Sequence, residues 1–97
     1  MPGIARIGDI GLVHCSGYSI VSGSTDVLAN GRGVARIGDK SGPHLMPAGK
    51  KCKPHTSTIA NGAAQVLVNG RPAARIGSGL TMCTRIISGS LDVLVGP

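Results

Sequence analysis

The tetrapeptide Ala-Arg-Ile-Gly occurs three times in this 97-residue chain, at 5–8, 35–38 and 74–77. A phrase written three times in so short a chain constrains it to a repeat architecture. One such unit cannot bury its own apolar face, so the copies must pack against one another. The frame is longer than the tetrapeptide. "GSTDVLANGRGVARIGD" (23–39) aligns without gaps on "GAAQVLVNGRPAARIGS" (62–78). A third copy starts at "GSLDVLVGP" (89–97) and stops where the others reach Asn-Gly. Its second half, "IARIGD", stands at residues 4–9. The expectation is one domain over 1–97 with units 23–39, 62–78 and a split unit, 89–97 plus 4–9.

Each complete unit reads as a hairpin. Asp26–Ala29 and Gln65–Val68 are short apolar strands, and Asn30-Gly31 and Asn69-Gly70 follow them. A type I′ turn needs φ > 0 at both central positions, which Asn-Gly supplies at least cost. Val34–Ile37 and Ala73–Ile76 are the return strands, with Pro72 marking an edge or a bend. Gly and Pro interrupt every window of helical length, so the class expected is all-β. Pairing 92–95 with 4–7 would close the chain and leave no open edge between the first and last units. The result would be a small, compact all-β body of three hairpins related by an approximate three-fold axis, with adjacent termini. The core must be thin: there is no Phe or Trp, and Tyr18 is the one aromatic side chain besides histidine. Such a chain needs a staple, whether disulfide, metal or partner.

The repeats supply a staple. His14 lies eight residues after Arg6, His44 eight after Arg36, and Cys83 eight after Arg75. With three Cys and three His in 97 residues, three prescribed positions would all be Cys or His about twice in ten thousand trials. Equivalent places in three symmetric units converge on the axis, and imidazole and thiolate are the preferred ligands of tetrahedral zinc. A fourth ligand is then needed. From this position to the next strand-leading Gly is nine residues in one unit (14 to 23), six in another (83 to 89) and eighteen in the third (44 to 62). The long loop contains Cys52 and His55, in Cys-x-x-His spacing, and either can complete the set. Cys52 sits between Lys51 and Lys53, which favour its thiolate. Cys15, beside His14, points the other way in an extended chain and reads as a small buried apolar residue. Three cysteines are an odd count and a poor disulfide framework, so metal ligation is the reading preferred for the set.

The net charge of +6 raises nucleic acid as a partner, but single-strand binding needs aromatic platforms that one Tyr does not supply. Lys50, Lys51 and Lys53 form the densest basic cluster, in a Pro/Gly-rich loop. A zinc-stabilised basic nucleic-acid-binding module is therefore the alternative, with no nucleic acid expected in the main reading. The N-terminus "MPGIARIGDIG" lacks an apolar h-region, so neither a signal peptide nor a membrane span is expected. Catalysis is not expected either. There is no Glu, and the four Asp (Asp9, Asp26, Asp39 and Asp92) occupy repeated positions that suggest turn hydrogen bonds or pairing with Arg6 and Arg36. No Gly-x-Ser-x-Gly, Walker loop or complete dinucleotide fingerprint is present.

"RPAAR" at 71–75, set in the frame "GS…VLVNGR…ARIGD", resembles the PAAR-repeat proteins along nearly the whole chain. These are cone-shaped, metal-binding tips of the trimeric β-helical spikes of type VI secretion systems and contractile phage tails. The resemblance implies a zinc (or iron) held by three His and one Cys, which here are His14, His44, His55 and Cys83. It implies a chain monomeric on its own, whose base caps a trimeric β-helix spike that transiently pierces a target outer membrane. The location implied is a virion tail baseplate or, in a bacterium, the cytoplasm followed by export through the secretion system. The sequence departs from the family pattern in Arg32-Gly33-Val34-Ala35-Arg36, in "GSTDVL", "GAAQVL" and "GSLDVL", which lack the Pro often found after the Gly-Ser, and in the split unit, which ends before its turn. No toxin or linker domain is expected beyond the repeats, so the resemblance is to a bare tip.

Overall fold

A computed structural model of the chain describes residues 2–13 and 15–96. Among these the chain is all-β, with no helix, and folds into three small antiparallel sheets of two strands each. β1 (Leu28–Ala29) pairs with β2 (Arg32–Gly33), β3 (His44–Ala48) with β4 (Lys51–His55), and β5 (Ala63–Val68) with β6 (Arg71–Ala73). The first and third sheets turn on Asn-Gly. Asn30 and Gly31 have φ of 54° and 77°, and Asn69 and Gly70 have 55° and 79°. All four are left-handed, as a two-residue hairpin of matching twist requires.

The return strands are Arg32–Gly33 and Arg71–Ala73, not Val34–Ile37 and Ala73–Ile76: each begins directly after its turn and ends where the chain leaves the hairpin to bridge other repeats. Arg6 bridges Val34, Arg36 bridges Ala73 and Ile4 bridges Arg75, all antiparallel. At the centre the backbone closes a ring. Ala5 N–H donates to Ala74 O, Ala74 N–H to Ala35 O, and Ala35 N–H to Ala5 O, each at 2.9 Å. All three alanines are fully buried. The two ends of the chain meet beside this ring: Ile4 N–H donates to Val93 O and Val95 N–H to Pro2 O. The contact therefore runs over 2–4 and 93–95, with Gly3 opposite Leu94, and not over 4–7 and 92–95. From Ala5 onward the backbone is already committed to the ring.

Two apolar clusters fill the interior. One gathers Ala5, Ala35 and Ala74 with Ile20, Ile59, Ile86, Tyr18 and Leu80, with Cys83 packed against it. The other joins Ile4, Ala29, Val34, Ala63, Val68, Ala73 and Val95. Ile20, Ile59 and Ile86 each stand three residues before a strand-leading Gly and are essentially inaccessible. Burying each is worth about 1.5–3 kcal/mol. Polar pins hold the turns after Arg6 and Arg36. Arg6 Nε donates to Asp9 Oδ2 at 2.9 Å and Arg36 Nε to Asp39 Oδ2 at 2.8 Å. Burial alone would push both carboxyls up. The hydrogen bonds from Arg6 and Ser88, or Arg36 and Ser22, together with the guanidinium charges, hold Asp9 and Asp39 below the ordinary carboxylate range.

The long loop after His44 is not loop but hairpin. Gly49, with φ of 65°, opens a two-residue turn, and the register pairs Ala48 with Lys51 and His44 with His55. Pro47 and Pro54 stay within this ladder because both fall in non-hydrogen-bonded pairs, opposite Cys52 and Leu45. N–H groups at such positions point outward, as Leu45 shows by donating to Ser16 Oγ at 2.8 Å. The pattern of two prolines spaced across a Gly-Lys turn concealed the hairpin from a composition-based reading.

Candidate metal centre

The β3–β4 hairpin delivers two imidazoles to one point. His44 and His55 are direct cross-strand partners at its base, so their side chains leave the same face of the ribbon. Their Nε2 atoms lie 2.7 Å apart. The Cys83 thiol reaches the same point, with Sγ 3.2 Å from His44 Nε2. A tight turn aims it: Cys83 N–H donates to Leu80 O, and Met82 between them holds φ of 50°. That left-handed conformation costs a non-glycine residue on the order of 1 kcal/mol. One donor atom from each of His44, His55 and Cys83 lies within 4.8 Å of the other two.

The surroundings fix the state of His44, which is buried. Its Nδ1 lies 2.8 Å from Gly42 O. A carbonyl only accepts, so Nδ1 carries the proton and Nε2 presents its lone pair to His55 and Cys83. A backbone carbonyl on the far nitrogen is the usual way a protein orients a metal-binding imidazole. Tyr18 stacks on the His44 ring, with centroids 4.4 Å apart and planes at 25°. Only glycine at position 11 permits this: a Cβ there would stand 1.9 Å from Tyr18 Cζ. The Tyr18 hydroxyl lies 3.0 Å from Thr84 Oγ1. Burial first, with Cys83 adding and the Thr84 bond opposing, pushes the Tyr18 phenol up to about 12. The phenol is therefore neutral at physiological pH, a wall of the site and not a charge.

Of the four expected ligands, the structure brings together His44, His55 and Cys83, while His14 lies outside the described residues. The expectations for the other cysteines need correction. Cys15 and Cys52 form a disulfide, with Cα atoms 6.0 Å apart. Cys52 is therefore not a candidate ligand, and Cys15 is not a buried apolar filler. The physical reason is strand parity. Cys52 and His55 are three residues apart in β4, so they leave opposite faces. The face bearing His55 meets His44 and Cys83, and the face bearing Cys52 turns toward Cys15. An odd cysteine count concealed a pair plus one. No protein-family model matches the chain, and no characterised protein shows significant sequence similarity to it.

The donor set fits a borderline-soft cation. Two neutral imidazole nitrogens and a thiolate suit zinc or another late first-row divalent ion. Tetrahedral bond lengths would separate the donors by about 3.3–3.7 Å, so seating an ion asks for outward shifts of roughly half an ångström. An ion would be bound by unprotonated Nε2 atoms and a thiolate, so uptake would release any protons these donors carry. An ion here would tie β4, β3 and the 80–83 turn to one another.

Proposed function

We propose that this chain is a non-enzymatic tip that caps a trimeric β-helical spike of a contractile tail or type VI secretion system, stiffened at its narrow end by a zinc or iron ion. The observation that carries the reading is the closed ring of Ala5, Ala35 and Ala74, in which each repeat gives and receives the same backbone hydrogen bond. A body built of three like units around an axis offers similar contacts to each protomer of a three-fold partner. Its extents of 39 × 23 × 23 Å, one long axis and two equal short ones, suit a pointed cap. The ion would be held by His44, His55 and Cys83, with His14 as the fourth ligand that the PAAR resemblance implies. Its role there is a cross-link that a thin, aromatic-poor core otherwise lacks. Type VI and phage origins share this chemistry.

The test is assembly. Mixed with the C-terminal β-helical segment of the trimeric spike from the same source, the chain should elute as a complex of one copy per trimer, measured by light scattering, and persist in high salt. Failure to associate, or three copies per trimer, refutes the reading. The alternative, a basic nucleic-acid-binding module, is favoured by the exposure of Lys50, Lys51 and Lys53 around a single hairpin turn. It predicts DNA or RNA affinity that falls steeply with salt.

A further inference from the structure

The two Arg–Asp pins described above have a third counterpart that is incomplete. Arg75 is the repeat equivalent of Arg6 and Arg36, and Ser78 stands where they have Asp9 and Asp39. Ser78 keeps one duty of the carboxylate, since its Oγ accepts from Arg75 N–H at 3.0 Å. It does not serve the guanidinium. Arg75 Nε is buried and has no hydrogen-bond partner among the described residues, whereas Arg6 and Arg36 each donate from both Nε and Nη2 to one carboxylate.

The vacancy extends outward. Arg6 Nη1 donates to Asn30 Oδ1, and Asn30 Nδ2 donates in turn to Asp92 Oδ1. Arg36, Asn69 and Asp26 form the same relay. At the third corner the corresponding positions hold Gly96 and Gln65. A second guanidinium also approaches each complete pin: Arg32 lies 3.5 Å from Asp9 and Arg71 lies 3.7 Å from Asp39. Its equivalent at the third corner is Pro2. Asp, Asn, Asp and Arg have thus become Ser, Gly, Gln and Pro around a single retained arginine. At these described positions no acidic side chain remains, and the cation is kept.

We infer that this corner is a binding site for a carboxylate, with Arg75 as its anchor and Ser78 Oγ–H as a second donor. A buried guanidinium N–H without an acceptor costs about as much as a lost charged hydrogen bond. The two sister corners show what relieves it: a planar anion accepting from Nε and Nη2 side by side. Ser78 is buried, but it is shorter than the aspartates of the sister corners, and a Cβ built on Gly96 would meet nothing within 4 Å, so the acceptor would enter past residue 96. It can arrive as a free small anion or on the Asp or Glu side chain of a bound protein. The inference holds whether or not the chain caps a spike.

The experiment is proton–nitrogen NMR of the Arg Nε–H groups in the metal-loaded protein. Sodium formate or N-acetyl-aspartyl methylamide is added at constant ionic strength, with chloride as the control. Arg6 and Arg36, already paired with carboxylates, serve as internal references. The Arg75 Nε–H signal should move saturably toward theirs with formate, and Ser78→Asp should reproduce that position with no ligand added. Ser78→Asp should also raise Tm by at least about 5 °C and abolish the formate response. A response to the aspartyl compound as strong as that to formate assigns the site to a protein side chain, and a response to formate alone assigns it to a free anion. Chloride and formate acting alike on Arg75, or no movement with either carboxylate, overturns the inference. So does a formate response in melting temperature that survives Arg75→Gln.

Discussion

Breaking the Cys15–Cys52 bond should be the most damaging single covalent change available to this fold. The bond closes a loop across a sequence separation of 37 residues. In the chain-entropy account, such a loop removes about 13 cal/mol/K from the unfolded chain, or about 3.8 kcal/mol at 25 °C. In a domain of this length each kcal/mol moves Tm by roughly 4–8 °C, so the ceiling is a fall of about 15–30 °C. The assay is calorimetry on Cys15→Ser, Cys52→Ser and the double variant with zinc added in excess, because reductants would also disturb any metal held by the Cys83 thiolate. The three variants should melt together, since each removes the same bond and the losses cannot add. Two single losses that sum in the double variant would show that the cysteines act separately. A double variant within about 3 °C of the parent would refute the loop-closure argument.

Other perturbations have equally definite outcomes. His44→Ala and Cys83→Ala should each abolish stoichiometric metal in elemental analysis and lower Tm, because each removes one of the three converging donors; retained metal in either would displace the proposed centre. Ile59→Ala should cost about 2–5 kcal/mol in urea unfolding, the side chain being fully buried beneath the alanine ring. Deleting residues 92–97 removes Val95 from the second cluster and the backbone bonds to Pro2 and Ile4; a loss as large as that of a core truncation is expected in the same assay. For pH, Asp9 and Asp39 have depressed carboxyl pKa values in the fold. Their contribution is complete above the ordinary aspartate value near 4 and fades as pH falls through the depressed value. Urea midpoints should therefore drop below about pH 4, and the drop should be shallower in Asp39→Asn.

The turns and the all-β class were legible because they rest on local chemistry. Asn30-Gly31 and Asn69-Gly70 can be read as left-handed pairs from two letters each. The convergence of His44 and Cys83 was legible from their shared offset after the repeated arginine, a signal that needs no strand assignment. Strand ends were not, because Val34 and Ala73 are claimed by bridges to distant repeats, and nothing local records that competition. The β3–β4 hairpin was hidden by Pro47 and Pro54, which demote a strand unless their positions in the ladder are known. The disulfide depended on that same parity, so it too was out of reach until the hairpin was seen. Arg75 is the opposite case: the exchange of Asp for Ser at position 78 is visible in the aligned repeats, but only the buried, unmatched Nε gives it meaning.

The alanine ring also bears on how the chain may be cut. Each alanine hands a hydrogen bond to the next, and the last hands one to the first, so the ring has no preferred starting member. Residues 2–4 and 93–95 lie side by side, with Gly3 opposite Leu94. A short linker joining them would make a circular polypeptide. Reopening it at the exposed Gly49–Lys50 turn or at Gly31 would give circular permutants in which every interior contact is kept and only the reading order changes.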